Sequence, residues 1–252
     1  MKDKIIAKVK DLLVAGEIDG FLALRQEPAG VAPYLFRDPA ELAQLSLGDG
    51  DEPGEHRYPL VKLLTRILNS APDQTLGILV RGCDERALYR RFHDDRVEPL
   101  REKRVVMVGF SCPPELAQSC RCEKPWPDHL TAGQRTEGVA PPRPPEDLLA
   151  ALEEWLGTFD RCVKCFGCRN VCPVCSCLEC TMESEPHVPQ RELPVAKSFL
   201  MTRAMHMVER CVYCNLCEQA CPSGIPLTDL YRLVARLTGG AGRSQEMARR
   251  TA

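Results

Sequence analysis

Apolar residues in the first half of the chain follow two patterns, helical spacing and short continuous runs. Helical spacing predicts amphipathic helices, and continuous runs predict buried strands. The predicted elements are helices at 5–14, 58–72 and 84–95 and strands at 18–24, 76–81 and 105–110. Buried strands that alternate with helices are typical of a parallel sheet covered on both faces. We therefore predict a parallel-sheet α/β domain over residues 1–122, with Asp84 as the cap of its third helix.

A stretch without periodicity follows this domain. Residues 123–147 carry six prolines and neither a helical nor an alternating pattern, which predicts a Pro-rich linker. Helical spacing returns directly afterwards and predicts a helix with a broad apolar face that packs on a second domain. This face consists of Leu148, Leu149, Leu152, Trp155, Leu156 and Phe159.

Helical spacing recurs twice more near the end of the chain. One helix is predicted over 195–210, with its apolar face formed by Phe199, Leu200, Met201, Ala204, Met205 and Val208. Another helix follows a Gly-Ile-Pro turn and is predicted to be capped by Thr228 or Asp229. We therefore predict a mainly helical domain over 148–240 and a tail at 241–252.

Composition excludes several classes of protein. Apolar residues make up 44% of the 252 residues, and 33 basic against 35 acidic side chains leave a net charge of −2. This balance indicates neither disorder nor a nucleic-acid surface. No run of about 18 apolar residues occurs, so direct membrane insertion is not expected. Because no export signal is evident at the N-terminus, we expect a cytoplasmic protein.

The cysteine content is unusually high, and it indicates metal binding. The chain has 15 cysteines, and several neighbours are two residues apart. A disulfide scaffold is the main alternative, but such domains are usually short and secreted.

Two runs share the pattern C-x2-C-x2-C-x3-C-P. They are Cys162, Cys165, Cys168, Cys172 with Pro173, and Cys211, Cys214, Cys217, Cys221 with Pro222. Bacterial-type ferredoxins hold 4Fe-4S clusters with this run, and the fourth cysteine of each run binds the other cluster. Zinc sites instead use two separated ligand pairs. The predicted ligand sets are Cys162, Cys165, Cys168 and Cys221 for cluster 1, and Cys211, Cys214, Cys217 and Cys172 for cluster 2.

Three further cysteines follow the first run immediately. Cys175, Cys177 and Cys180 have no evident fourth partner. Two interpretations remain open: a further cluster or metal completed by a distant cysteine or a partner subunit, or small buried residues packed beside the cubane. His206, in the helix at 195–210, is interpreted as a packing or surface histidine rather than a ligand.

Four cysteines of the N-terminal domain form a separate candidate site. Cys83 and Cys112 follow predicted parallel strands, so both are expected at the carboxyl edge of the sheet, where open α/β sheets gather ligands. Cys120 and Cys122 come soon afterwards. Together they predict a third metal centre, with an iron–sulfur cluster favoured over zinc, and buried reduced thiols are the alternative.

No motif indicates a flavin at the same edge. Gly77, Gly82 and Gly109 are isolated, so the G-x-G-x-x-G dinucleotide fingerprint is missing and FAD has no motif to support it. Arg81, Asp84 and Arg86 are charged residues near this edge that are suited to phosphates or a partner, although charges at a helix start are usually surface residues.

Four segments of the chain carry a family resemblance. TLGILVRGCDERAL, RVVMVGFSC, CVKCFGCRNVCPVCSCLEC and CVYCNLCEQACPSGIPL resemble the beta subunits of deazaflavin-coenzyme hydrogenases and formate dehydrogenases, especially members that accompany heterodisulfide-reductase-like proteins in anaerobes. The resemblance covers most of residues 60–237.

The resemblance implies an electron-transfer subunit without catalytic residues of its own. It would relay single electrons in an anaerobic, cytoplasmic oxidoreductase complex, between a hydrogenase or formate dehydrogenase module and a heterodisulfide-reductase-like flavoprotein. The alternative is a flavin-binding beta subunit that itself reduces a deazaflavin.

Overall fold

The computed structural model describes residues 1–94, 100–177, 179–186, 188–189 and 193–239. The chain divides into a first unit ending at Pro141 and a second unit beginning at Pro142. The predicted tail, 241–252, and the last residue of the predicted third helix lie outside the described residues.

The first unit is an α/β fold, as predicted. Its helices are α1 Lys2–Val14, α2 Leu60–Ser70, α3 Gly82–Phe92 and α4 Pro114–Cys120. Its strands are β1 Gly20–Glu27, β2 Gly30–Phe36, β3 Leu45–Ser46, β4 Leu76–Val80, β5 Val105–Phe110 and β6 Leu130–Ala132.

The sheet of this unit is mixed rather than wholly parallel. Its strand order is β2-β1-β4-β5-β6, and the predicted strands β1, β4 and β5 run parallel, joined by the parallel strand β6, which was not predicted. Strands β2 and β3, which were not predicted from the sequence, pair with β1 antiparallel. Pro33 lies within β2, which ends the strand order, and a proline is tolerated there because an edge strand leaves backbone donors without ladder partners.

Buried side chains cover both faces of the sheet. On one face Phe21 and Leu79 pack against Ile5 and Val9 of α1. Because successive strand residues point to opposite faces, Ile78 lies on the other face, where α2 and α3 contact the strands. This arrangement explains the continuous apolar runs of the central strands.

Asp84 does not occupy the predicted cap position. Helix α3 begins at Gly82, so that Arg81 is the N-cap and Asp84 is the third helical residue. The Asp84 carboxylate accepts a hydrogen bond from the Arg81 backbone N–H at 3.0 Å. The aspartate therefore does satisfy a donor at the helix start, but from inside the first turn.

The stretch predicted as a linker contributes to the first unit. Residues 130–132 form β6, which pairs with β5. Before it, the buried carboxylate of Glu85 accepts hydrogen bonds from the backbone N–H groups of Asp128 at 2.6 Å and His129 at 2.9 Å. The chain is thereby held against the carboxyl ends of β4 and β5.

Two glycines of the sequence analysis make room for this segment. A Cβ atom on Gly82 would lie 2.6 Å from the carbonyl oxygens of Lys124 and Trp126, and one on Gly109 would lie 2.1 Å from that of His129. Their role in the fold of this chain is therefore to allow close backbone packing.

Replacing Gly109 by alanine should destabilise the first unit, because backbone atoms would have to move. Overpacking of this kind costs on the order of 1–3 kcal/mol of unfolding free energy. The midpoint of thermal unfolding, followed by circular dichroism, checks this. Gly157→Ala is the matched control, since its Cβ would meet nothing within 4 Å and alanine favours a helix. Equal midpoints for the two variants would contradict the packing argument.

The second unit is mainly helical, as predicted. Its helices are α5 Leu148–Thr158, α6 Gly167–Asn170, α7 Lys197–Met207, α8 Leu216–Gln219 and α9 Leu227–Leu237. Helix α9 packs against α5, α7 and α8, and α6 packs against α8. The short helices α6 and α8 lie inside the two cysteine runs, whereas α7 and α9 follow the predicted patterns.

Three details of these helices differ from the predictions. In α7 Met205 is 51% exposed, and the buried face instead includes Arg203 and Met207. The predicted apolar face of α5 is partly open, since Leu149 is 69% exposed. The N-cap of α9 is Pro226, so neither Thr228 nor Asp229 is the cap.

Candidate metal centres

The two cysteine runs have the same backbone conformation. Positive φ values of 51° and 58° occur at Lys164 and Phe166 of the first run. The second run has values of 51° and 62° at the equivalent residues, Tyr213 and Asn215. Non-glycine residues enter this left-handed region at a cost, so its repetition at matched positions indicates a loop whose curvature is required. A short helix, α6 or α8, then follows in each run.

Backbone N–H groups inside the loops point at cysteine sulfurs. The N–H of Lys164 donates to Cys162 Sγ, and the N–H of Tyr213 donates to the equivalent Cys211 Sγ, both at 3.4 Å. In the first run Gly167 N–H also donates to Cys165 Sγ at 3.4 Å. Loops that turn amide donors towards sulfur are suited to thiolates in a negatively charged centre.

The four cysteines predicted for cluster 1 are electrostatic neighbours. Burial raises the pKa of Cys162, and the nearby thiols of Cys165 and Cys221 add to this rise. Burial likewise raises the pKa of Cys168, where Cys162 and Cys165 contribute again. The last cysteine of the second run thus lies near Cys162, the first cysteine of the first run.

The four cysteines predicted for cluster 2 form the reciprocal group. Burial raises the pKa of Cys211 to about 12, with a contribution from Cys214. Burial also raises the pKa of Cys217 well above its usual value, with contributions from Cys214 and Cys211. Cys172 of the first run is buried and interacts with Cys214. Cys172 thus lies near a cysteine of the second run, as the predicted exchange of the fourth ligand requires.

One buried guanidinium lies between the two groups. Arg203 of α7 is 2% exposed and donates to the carbonyl oxygen of Cys168 at 3.0 Å and to the Tyr231 hydroxyl at 3.2 Å. Its charge lowers the pKa of thiols in both groups, opposing the effect of burial at Cys168 and at Cys211. Arg203 therefore compensates negative charge for either group. Arg203 was not among the predicted site residues, although an arginine on the apolar side of an amphipathic helix is a recognisable signal.

The three additional cysteines have separate surroundings. Cys175 donates a hydrogen bond to the Cys172 sulfur, which lowers the pKa of Cys172 and raises that of Cys175. Arg203 Nη1 donates to Cys175 Sγ at 2.7 Å. Cys177 is exposed and accepts from Arg210 at 3.6 Å, whereas Cys180 is hydrogen-bonded to Arg169. Each of the three cysteines thus contacts a different arginine.

His206, the other candidate ligand of the second unit, is exposed on α7. None of the 15 cysteines, all within the described residues, forms a disulfide, contrary to the alternative of a disulfide scaffold. Among the described residues, no group of three or more His, Cys, Asp or Glu side chains is arranged to hold a single metal ion.

The four N-terminal cysteines, which we call the N-terminal thiol group, gather beyond the carboxyl ends of β4 and β5. Cys83 lies in the first turn of α3, Cys112 follows β5, and Cys120 ends α4. Cys112, Cys120 and Cys122 form a buried cluster with Leu116. Burial raises the pKa of Cys112 and of Cys120, and Cys122 contributes to both shifts.

Comparison with known proteins agrees with the cysteine pattern. The profile of the 4Fe-4S dicluster domain matches residues 158–225. Residues 158–225 thus resemble a 4Fe-4S dicluster domain. We call them the dicluster domain, and their two interlocked groups of four thiols fit the ligand number of two such clusters.

Two curated proteins extend the resemblance. The F420-dependent formate dehydrogenase subunit beta of Methanocaldococcus jannaschii is 37% identical over 87 residues, which cover 34% of this chain and 23% of that protein. The F420-dependent formate dehydrogenase 1 subunit beta of Methanococcus maripaludis is 45% identical over 40 residues, 16% of this chain and 10% of that protein. The predicted resemblance to such beta subunits is confirmed, over less than a quarter of either relative's length.

No described helix is long and apolar enough to cross a membrane.

Proposed function

We propose that the chain is an iron–sulfur electron-transfer subunit of a formate dehydrogenase-type or hydrogenase-type complex. The proposed ligands are Cys162, Cys165, Cys168 and Cys221 for one 4Fe-4S cluster, and Cys211, Cys214, Cys217 and Cys172 for the other. When bound, each cluster supplies uptake and release of one electron. No side chain of the chain has to act as acid, base or nucleophile in this function.

The interlocking of the two thiol groups is the observation that carries this proposal. Helices α6 and α8, which lie inside the two runs, pack against each other. Cys172 interacts electrostatically with Cys214, and Cys221 interacts with Cys162. Two centres held by these linked loops would lie close together, as electron transfer between them requires. The loops contribute amide donors and Arg203 contributes positive charge, and both favour the negatively charged state of a thiolate-bound centre.

The finer proposal concerns the partners. A hydrogenase or formate dehydrogenase module would deliver electrons, and a heterodisulfide-reductase-like flavoprotein would receive them, in the cytoplasm of an anaerobe. The similarity to beta subunits of F420-dependent formate dehydrogenases supports the first of these partners. The alternative is a chain that binds FAD itself and reduces a deazaflavin coenzyme.

Anaerobic isolation of the tagged chain from its native host tests the proposal. We expect it to co-purify with a flavoprotein and with a hydrogenase or formate dehydrogenase module, identified by mass spectrometry. Dithionite should produce electron paramagnetic resonance (EPR) signals of two interacting clusters, and the partner flavin should oxidise them. An isolated chain that carries no iron would contradict the proposal. One equivalent of flavin released from the separated chain, with reduction of F420 by that chain, would favour the alternative.

A further inference from the structure

Three arginines converge on the N-terminal thiol group, which lies outside the residues similar to the dicluster domain. Every sulfur of the group accepts a hydrogen bond from a guanidinium. The nitrogen–sulfur distances are 3.3 Å from Arg57 to Cys120, 3.5 Å from Arg57 to Cys83, 3.7 Å from Arg81 to Cys112 and 3.8 Å from Arg86 to Cys122. Arg57 precedes α2, whereas Arg81 is the N-cap of α3 and Arg86 lies within that helix, so the fold brings two separate segments to the same group of sulfurs.

The best-buried of these guanidiniums is held firmly in place. Arg81 is 5% exposed, donates to the carbonyl oxygen of Leu47 at 2.7 Å and stacks on the Phe110 ring at 4.5 Å. It also pairs with the carboxylate of Asp49 at 3.1 Å. Its other terminal nitrogen, Nη1, donates to Cys112 Sγ. A rigid, nearly buried cation beside a sulfur is costly if that sulfur is a neutral thiol, and favourable if it is a thiolate.

The backbone between two of the cysteines adds a second observation. Arg121, between Cys120 and Cys122, has a φ of 49°. A non-glycine residue in this left-handed region also lies between successive cysteines of both runs in the dicluster domain. The conformation is accommodated here because the N–H of Cys122 bonds to the carbonyl oxygen of Ala117 at 3.0 Å. Cys122 is thereby turned into the same buried cluster as Cys120.

We propose that the N-terminal thiol group holds a third 4Fe-4S cluster. A cubane bound by four thiolates carries about two to three negative charges, and the three guanidiniums offset part of this charge, although Arg81 is also paired with Asp49. Zinc sites in proteins usually combine two pairs of ligands with gaps of two to four residues, whereas here Cys83 and Cys112 arrive singly. The bound cluster would supply one-electron uptake and release, without any proton or bond change in the protein.

Arg57, Arg81 and Arg86 then act as positioning residues for this cluster. Each fixes the orientation of a thiolate, and each stabilises the added negative charge of the reduced state. The reduction potential of the third cluster is therefore higher than it would be without them. Cys83, which belongs to no ferredoxin-type run, is a ligand in this proposal.

Iron and acid-labile sulfide, quantified on the anaerobically purified full chain, test the assignment. We expect about twelve iron atoms per wild-type chain and about eight in the variant Cys83→Ala/Cys112→Ala. The EPR signals of the dicluster domain should persist in this variant and thereby show that it is folded. A wild-type chain with eight irons, or with one zinc and eight irons, overturns the proposal. If the dicluster assignment were wrong instead, Cys211→Ala would leave the iron content unchanged. This variant therefore distinguishes failure of the dicluster assignment from failure of the third cluster.

A redox titration tests the arginines independently of folding. Arg57→Gln should lower the midpoint potential of the third EPR signal and leave the two dicluster signals in place. Arg57→Lys, which keeps the charge, should restore most of the shift. Equal midpoint potentials in wild type and Arg57→Gln would overturn the role given to this side chain, and loss of the dicluster signals instead of the third would overturn the site itself.

Discussion

Replacement of both Cys172 and Cys175 by alanine should remove cluster 2 and leave cluster 1 intact. The iron content should fall by about four atoms per chain, because the cubane held by Cys211, Cys214 and Cys217 would lose its fourth ligand. Both residues are replaced because the Cys175 thiol contacts the Cys172 sulfur and is able to take its place as a ligand. Iron analysis and EPR of the dithionite-reduced protein measure the loss.

The controls for this variant separate the ligand from its neighbour. Cys175→Ala alone should keep both clusters, and so should Cys177→Ala at an exposed site. The residual EPR spectrum of the double variant should equal that of Cys211→Ala and differ from that of Cys162→Ala. If it equalled the spectrum of Cys162→Ala, the exchange of the fourth cysteine between runs would be wrong.

Arg203→Gln should lower the reduction potentials of both clusters in the dicluster domain. The guanidinium is a buried positive charge close to both thiol groups, and each reduction adds a negative charge. At a separation of several ångströms, its loss corresponds to a shift on the order of 100 mV. Spectroscopic redox titration of wild type and variant under identical salt conditions measures this shift.

The same substitution should also destabilise the second unit. It leaves the carbonyl oxygen of Cys168 and the hydroxyl of Tyr231 without their charged donor. Breaking a buried charged network by removing one partner costs about 3–5 kcal/mol. Arg203→Lys retains the charge, so the reduction potentials of both clusters should stay close to those of the wild type. The unfolding free energy should still fall. Unchanged potentials in Arg203→Gln, with both clusters present, would contradict the electrostatic role.

The ligand loops were predictable because the spacing of the cysteines is itself a consequence of cluster geometry. Two-residue gaps allow successive thiolates to reach neighbouring irons, so the grouping of Cys162, Cys165 and Cys168 follows from the sequence. The conformation of the loops was not predictable. Lys164 and Tyr213 adopt positive φ without being glycine, and only the demands of the whole loop explain this.

The parallel core of the first unit was predictable from its continuous apolar runs, but its edges were not. The β1–β2 hairpin was missed because Pro33 argues against a strand unless the strand lies at an edge, which only the tertiary fold decides. Strand β6 was missed because three residues in a Pro-rich stretch carry no measurable period. Arg57, in a loop far from the cysteines in sequence, meets Cys83 and Cys120 only through folding.

The two thiol groups of the dicluster domain differ in exposure. Cys165 is exposed, whereas Cys211 and Cys217 are buried. Dioxygen dissolved in the solvent would therefore attack cluster 1 first, and brief aeration should yield a protein with a damaged outer centre beside an intact inner one. A redox partner would exchange electrons with cluster 1 at its exposed side. Dioxygen would reach cluster 1 and inactivate the protein from the same side.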